Sequence, residues 1–185
     1  HWGQGKSMKL ELSPCPAAEA DFIADYPVPF AGETVEIESS SAFFKHLQWK
    51  QKITPHPGPD AETERPHFHY TAERGWLNDP NGLYYKDGVW HLFHQYNPFS
   101  TTWGNMHWFH ATSHDLLHWD HDRIVLHPDE TGAMFSGCAV IDYENRSGLQ
   151  AVPGTPPILL YYTAAGSHAP EKRLSTQNLA FSTDD

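Results

Sequence analysis

One carboxylate stands apart among the 23 Asp and Glu residues of this 185-residue chain. Asp79 lies in Asn78-Asp79-Pro80-Asn81-Gly82, preceded by Trp76-Leu77 and followed by Leu83-Tyr84-Tyr85. Taken alone, the pentapeptide reads as a turn. Asn and Asp bond nearby backbone, Pro presets φ, and Gly accepts positive φ. The two large apolar side chains ahead of it predict a turn packed inward and not a solvent-facing tip. A carboxylate held there, with the Asn78 amide or backbone N–H groups favouring its charged form, suits a reaction in which positive charge develops. Glycosidic bond cleavage is such a reaction. Its transition state resembles an oxocarbenium ion, which a fixed anion stabilises and, in a retaining mechanism, captures.

A second chemistry is suggested by fourteen histidines. His107, His110, His114, His118 and His121 recur at helical spacings, as ligands on one helix face would. However, Thr112-Ser113 interrupts the run, which reads as strand, turn, strand. On strands these rings do not share one face. No cysteine or second carboxylate cluster supplies the remaining ligand pattern. No metal site is expected, and the histidines read as partly buried hydrogen-bonding groups. Cys15 and Cys138 do not form a metal motif. They read as unpaired thiols, with a disulfide between them left open. Gly5-Lys6-Ser7 lacks the upstream glycine of a phosphate loop. Asn145-Arg146-Ser147 fits an N-glycosylation acceptor, a motif common by chance.

Composition narrows the class. The chain is 39% hydrophobic and 19% charged, hence globular and large enough for a real core. Aromatic residues make up 14%. Two readings fit that number equally: strands that favour rings, or a site where flat sugar faces stack. A formal charge of −11 makes nucleic acid and anionic membrane poor partners, and a neutral sugar is unaffected. No apolar run approaches the ~20 residues of a membrane-spanning helix. No leader peptide is visible, yet the chain opens on His1. The cell address therefore stays open, with an extracellular or periplasmic one the expectation.

The elements that would position Asp79 are short strands. Leu83-Tyr84-Tyr85 and Val89 to Tyr96 flank Lys86-Asp87-Gly88, a hairpin turn. Met106 to Thr112 and Trp119 to Leu126 complete a first set of four. Met134 to Tyr143, Ile158 to Thr163 and Asn178 to Ser182 form a second set. The third strands of the two sets end alike, in Ser113-His114-Asp115 and Ser182-Thr183-Asp184. Repeated antiparallel sets suggest propeller blades; a β-sandwich or a non-repeating β domain is the alternative. Because a propeller needs roughly four to eight blades to close, the chain is expected to be part of a longer protein. Ahead of the sets, residues 1–53 read as a small β-rich segment. Thr34-Val35-Glu36-Ile37-Glu38 is a strand there, and Ala42 to Trp49 a strand or short helix. Residues 54–65, rich in proline, read as a linker, and the propeller region is 66–185.

Five pieces then occur in series. They are Trp76-Leu77-Asn78-Asp79-Pro80-Asn81-Gly82, His94-Gln95-Tyr96-Asn97-Pro98, Trp103-Gly104-Asn105-Met106-His107-Trp108, Ser113-His114-Asp115-Leu116-Leu117-His118-Trp119, and Phe135-Ser136-Gly137-Cys138. In this order and spacing, the run from Pro66 to Asp185, about two-thirds of the chain, resembles the start of a glycoside hydrolase family 32 catalytic domain. That is the invertase, inulinase and levanase group. The resemblance implies an all-β fold, a five-bladed β-propeller of which the first blade and most of the second are present. It implies Asp79 as catalytic nucleophile. Asn78, Gln95, Trp103 and Ser136 would hold the terminal fructosyl unit, and Phe135 would line the same pocket. The amides of Asn78 and Gln95 suit hydroxyl recognition, since each offers donors and an acceptor.

The family's Arg-Asp-Pro stretch and its acid/base Glu have no match here. Glu130 and Glu144 do not stand in the right context, so this segment alone is expected to be inactive. Three positions depart from the family pattern: Phe109 where Gly is common, Cys138 where Ser is common, and His94 where a carbocyclic aromatic is common. The implied activity is hydrolysis of terminal β-D-fructofuranosyl linkages in sucrose, levan or inulin by double displacement, with no cofactor. The partner is a fructose-containing oligo- or polysaccharide. A fructosyltransferase and a non-catalytic fructan-binding module are the alternatives.

Overall fold

The computed structural model describes residues 9–11, 26, 36 and 63–183. Apart from those few positions, the segment and linker expected over residues 1–65 lie outside the described residues, and so does Cys15. The described part is all-β. Strands β1 (Trp76–Lys86), β2 (Val89–Asn97), β3 (His107–Ser113) and β4 (Asp120–Leu126) form one antiparallel sheet in the order β1-β2-β3-β4. Strands β5 (Ala133–Ile141), β6 (Ile158–Ala165) and β7 (Thr176–Ser182) form a second, in the order β5-β6-β7. Six of the seven described strands match the sequence expectation with small changes at their ends; β1 begins at Trp76, well ahead of the expected Leu83.

Local chemistry explains those ends. Asp87 (φ 50) and Gly88 (φ 88) are both left-handed, which gives the two-residue turn that suits strand twist. Strand β5 stops at Ile141 and not at Tyr143. The Asp142 carboxylate takes over as acceptor for the backbone N–H groups of Arg146 (2.9 Å) and Ser147 (2.8 Å), curling the chain away from the sheet. The histidine-rich run is strand, turn, strand: His107 and His110 lie on β3, His121 on β4, and His114 and His118 between them.

One expectation is corrected. Asn78-Asp79-Pro80-Asn81-Gly82 is not a turn; it lies inside β1. Pairing with β2 keeps it extended, and the register skips twice, between Leu77 and Pro80 and between Asn81 and Tyr84. Turn-forming residues have become bulges, which need the same local freedom. Pro80 is tolerated because β1 is an edge strand, so its missing N–H costs no ladder bond.

The core is the seam between the sheets. Phe93 and Trp108 from the first sheet pack on Met134, Ile158, Leu160, Tyr162 and Ala164 from the second. Trp108 is wholly buried, and its Nε1 donates to the Phe135 carbonyl at 3.1 Å. That single bond satisfies the only polar atom of a large buried ring and ties β3 to β5. Strands β1 and β5 meet closely: a Cβ on Gly82 would lie 3.0 Å from both the Ala139 Cβ and the Phe93 ring.

Pieces of the N-terminal segment touch the first sheet. Glu11 and Asn105 exchange two hydrogen bonds at 2.7 and 2.8 Å. The Tyr26 hydroxyl lies 2.9 Å from His107 Nε2 and 2.6 Å from His127 Nδ1. Arg65 reaches over the chain that enters β1, donating to Thr71 Oγ1, Ala72 O and Glu73 O.

Candidate active site

Two bulges face each other across the seam. On β1, the skipped register leaves Asn78 and Asp79 out of the ladder. On β5, a second shift between Phe135 and Gly137 leaves out Ser136. The Ser136 hydroxyl donates to Asp79 Oδ2 at 2.7 Å, joining residues 57 apart in sequence. The neighbouring Gly137 N–H approaches Asn81 Oδ1 at 3.4 Å. Glycine is required at 137, because a Cβ would lie 1.8 Å from the Tyr161 carbonyl oxygen. The same close approach of β5 to β6 fixes where Ser136 stands.

Asp79 is exposed, not packed inward as expected, because the bulge turns it off the ladder of an edge strand. Its acidity is nevertheless shifted. The Ser136 hydroxyl first, and the Asn78 side chain second, hold its carboxyl below the usual carboxylate range. Asn78 is itself oriented: Trp76 Nε1 donates to its Oδ1 at 2.8 Å. With that oxygen engaged by the indole, the Asn78 NH2 group is the part left to donate to Asp79. The result is an anion with designated donors and open lone pairs.

Gln95 lies on β2 between Tyr96 and His94, which pair with Leu77 and Pro80, and so stands opposite the β1 bulge. It is 2% exposed, and its Nε2 has no hydrogen-bond partner among the described residues. A buried amide donor left unpaired is costly, and Asn81 Nδ2 on the facing strand is in the same state. Trp103 lies on the β2–β3 connection and is half exposed, its ring edge-on to Phe135 at 6.0 Å. Thus Asn78, Asp79 and Ser136 are joined by hydrogen bonds, Phe135 and Trp103 by ring contact, and Gln95 faces the bulge from the next strand.

Four supporting residues were not singled out from sequence. Trp76 orients Asn78. Asn81 reaches the β5 bulge. Asn97, buried, organises the loop bearing Trp103: its Oδ1 accepts from Phe99 N (3.1 Å) and its Nδ2 donates to Thr102 O (2.9 Å). His168 packs on both Trp103 and Phe135. The first three lie inside quoted motifs, so attention to their polar atoms could have found them. His168 lies in a connection with no local signal.

Of the three unusual positions, His94 pairs across the strands with Pro80, the residue after Asp79, and Cys138 lies two residues past Ser136. His94 and Phe109 pack together, with Tyr96, on the side of the first sheet opposite the Phe93–Trp108 seam. His94 Nδ1 donates to the Gln95 carbonyl at 3.0 Å, leaving Nε2 to accept from the Tyr70 hydroxyl at 2.9 Å. Burial pushes its pKa down to about 4, so it is neutral at pH 7. Cys138 is a free, exposed thiol. Among the described residues, no group of three or more His, Cys, Asp or Glu side chains is arranged to hold a metal ion.

The fold and this arrangement define a class: antiparallel β-sheets packed face to face, with an ionised carboxylate, amides and rings gathered where two bulges meet. The chain belongs to glycosyl hydrolase family 32, since residues 69–185 match the model of that family's N-terminal domain. A levanase of Bacillus subtilis is 44% identical over 123 residues, covering 66% of this chain and 17% of that protein. A fructan β-fructosidase of Streptococcus mutans is 56% identical over 88 residues, covering 48% and 6% respectively. Among solved structures, the β-fructofuranosidase of Schwanniomyces occidentalis in complex with fructosyl-erythritol superposes with a TM-score of 0.57. It has 42% identity over 65% of this chain and 24% of its own. The exo-inulinase of Aspergillus awamori gives 0.56 and 34%, over 66% and 27%. The chain thus spans less than a fifth of the two curated relatives' lengths and about a quarter of the two structures.

Proposed function

We propose that this chain supplies the nucleophile-bearing part of a retaining β-fructosidase that cleaves terminal fructosyl units from sucrose or fructans. The observation that carries this reading is the bond from Ser136 to Asp79 across the seam, made by two residues that leave their ladders to meet. Asp79 attacks the anomeric C2 of the fructosyl unit as the C2–O bond breaks, and the leaving oxygen takes a proton from a second carboxyl group. Water then releases fructose with net retention. A nucleophile must be ionised when substrate arrives, and the Ser136 and Asn78 donors favour that state. Gln95 offers a buried, unpaired amide N–H to a sugar hydroxyl, Asn78 and Ser136 add polar contacts, and Trp103 with Phe135 forms an apolar wall against the ring.

Double displacement needs a second carboxyl group about 5 Å from the first. No glutamate of this sequence stands in a matching context, so we assign that role, and the Arg-Asp-Pro contacts, to chain outside these 185 residues. The same reasoning extends the fold. The two sheets serve as the first blade and most of the second in a five-bladed propeller, with Asp79 on an innermost strand facing the axis. No cofactor enters the mechanism.

The test is product analysis with the protein that carries this sequence, on sucrose, inulin and levan. Release of free fructose, initially in the β configuration of the substrate, is expected. Initial release of the α-anomer would contradict double displacement. Chain-lengthened fructosyl products in place of free fructose would make it a transferase, and binding without cleavage would make it a fructan-binding module.

A further inference from the structure

Trp103 follows the loop backbone that Asn97 ties at Phe99 and Thr102, bonds that do not reach the indole. It lies on a connection and not on a strand, next to Gly104 (φ 154) and Asn105 (φ 44), and half of its surface is open. An indole that serves as a wall for a sugar face must keep its plane fixed, or stacking energy is lost to reorientation. Among the described residues two rings meet it, both from the second sheet. Phe135 on β5 lies 6.0 Å away at 74°, and His168 lies 5.6 Å away at 69°. His168 and Phe135 also touch each other, at 5.6 Å. The three rings close a triangle in which both contacts to the indole are edge-on, a geometry aromatic quadrupoles favour, and the Phe135–His168 side is tilted at 45°.

His168 is held firmly enough to act as a brace. It ends a short 3-10 turn, Gly166–His168, in the β6–β7 connection. The Gly166 carbonyl accepts from Ala169 N at 3.2 Å and from Arg173 N at 3.0 Å, and Gly166 N donates to Ser175 Oγ at 3.3 Å. Residues on both sides of the loop therefore converge on one glycine. A Cβ there would lie 2.4 Å from the Leu174 carbonyl oxygen, and Ala169 is buried next to His168. The imidazole makes ring contacts, and no hydrogen bond to it is formed among the described residues.

We propose that His168 is a positioning residue that fixes the Trp103 indole, so that the substrate-facing wall of the first sheet is set by a loop of the second. This rests on the reading of Trp103 as part of a fructosyl pocket. The histidine acts through its ring shape, so an aromatic replacement serves and a small one does not.

Two readouts test it on the protein that carries this sequence. With sucrose as substrate, His168→Ala is expected to raise KM by about three- to tenfold with kcat unchanged, and His168→Phe to restore KM. A parent-like KM for His168→Ala, or a His168→Phe variant as impaired as the alanine, would overturn the proposal. The second readout needs no turnover. The near-ultraviolet circular dichroism band of Trp103 is isolated by subtracting the spectrum of Trp103→Phe. That band should collapse in His168→Ala and persist in His168→Phe. An unchanged band in His168→Ala would sink the brace, whereas a parent protein that fails to cleave sucrose would sink only the fructosidase reading.

Discussion

Asp79 and Asp115 both sit in short motifs with a serine partner, and they do opposite things with it. Asp115 spends its oxygens locally. Oδ1 accepts from Leu117 N and His118 N, both at 2.8 Å, and from Ser113 Oγ at 3.3 Å; Oδ2 accepts from His118 Nδ1 at 2.7 Å. Every partner lies within three residues, so the group builds a turn. Asp79 takes its serine from another sheet and keeps lone pairs open. The backbone N–H of His118, then its side chain, lower the Asp115 pKa, just as Ser136 and Asn78 lower that of Asp79. Depressed acidity therefore does not by itself mark a site. What separates the two aspartates is where their partners come from and what is left unused.

The largest test of that contrast is charge removal at Asp79. Asp79→Asn keeps the size and loses the proposed nucleophile, so turnover of sucrose should fall about a thousandfold or more, while sugar binding measured by calorimetry persists.

Acidification should sharpen the contrast next, because it loads a third set of groups. Burial lowers the pKa of His94 to about 4, of His107 to about 3 and of His127 to about 4, against 6.5 in the unfolded chain. Below about pH 6.5 the unfolded state takes up protons that the folded state refuses. The stability contributed by these neutral rings is therefore complete above that pH and declines as pH falls toward about 4. Denaturant midpoints from pH 7 to pH 4.5 should decrease, and a flat profile would mean the rings are not buried neutral. Activity losses in this range are assigned to Asp79 only where circular dichroism shows the fold intact.

Ser136→Ala comes third. It removes the donor that most favours ionised Asp79, so the acid limb of the kcat/KM profile should move to higher pH. The rate at neutral pH should drop about three- to tenfold, an effect limited by the exposure of the pair. An unmoved acid limb would detach Asp79 from that titration. The smallest effect is expected at Asp115→Ala. It should lower the thermal midpoint by loosening the turn after β3 and leave kcat/KM per folded molecule unchanged. A large catalytic loss there would erase the distinction between the two aspartates.

The strand pattern was legible because local chemistry marks it: the Asp87-Gly88 turn and the aromatic-rich runs of β2, β3 and β6 carry their own signals. Residues 78–82 were misread as a turn for the same reason. Asn, Asp, Pro and Gly supply the freedom that both turns and bulges use, and only pairing with β2 decides between them. The candidate site residues came from a family resemblance in five motifs, not from any one residue's chemistry. The bond from Ser136 to Asp79 was not legible, since it depends on how two sheets dock. His168 was hidden more deeply, in a loop whose role appears only once three rings from separate elements are brought together.

In double displacement Asp79 bonds covalently to the sugar. Mixing the active protein with excess sucrose, quenching rapidly in acid and mapping peptides by mass spectrometry tests it directly. A single hexosyl increment is expected on the peptide containing Asp79, absent from Asp79→Asn. Finding that increment on another carboxylate, with Asp79 unmodified, would contradict it.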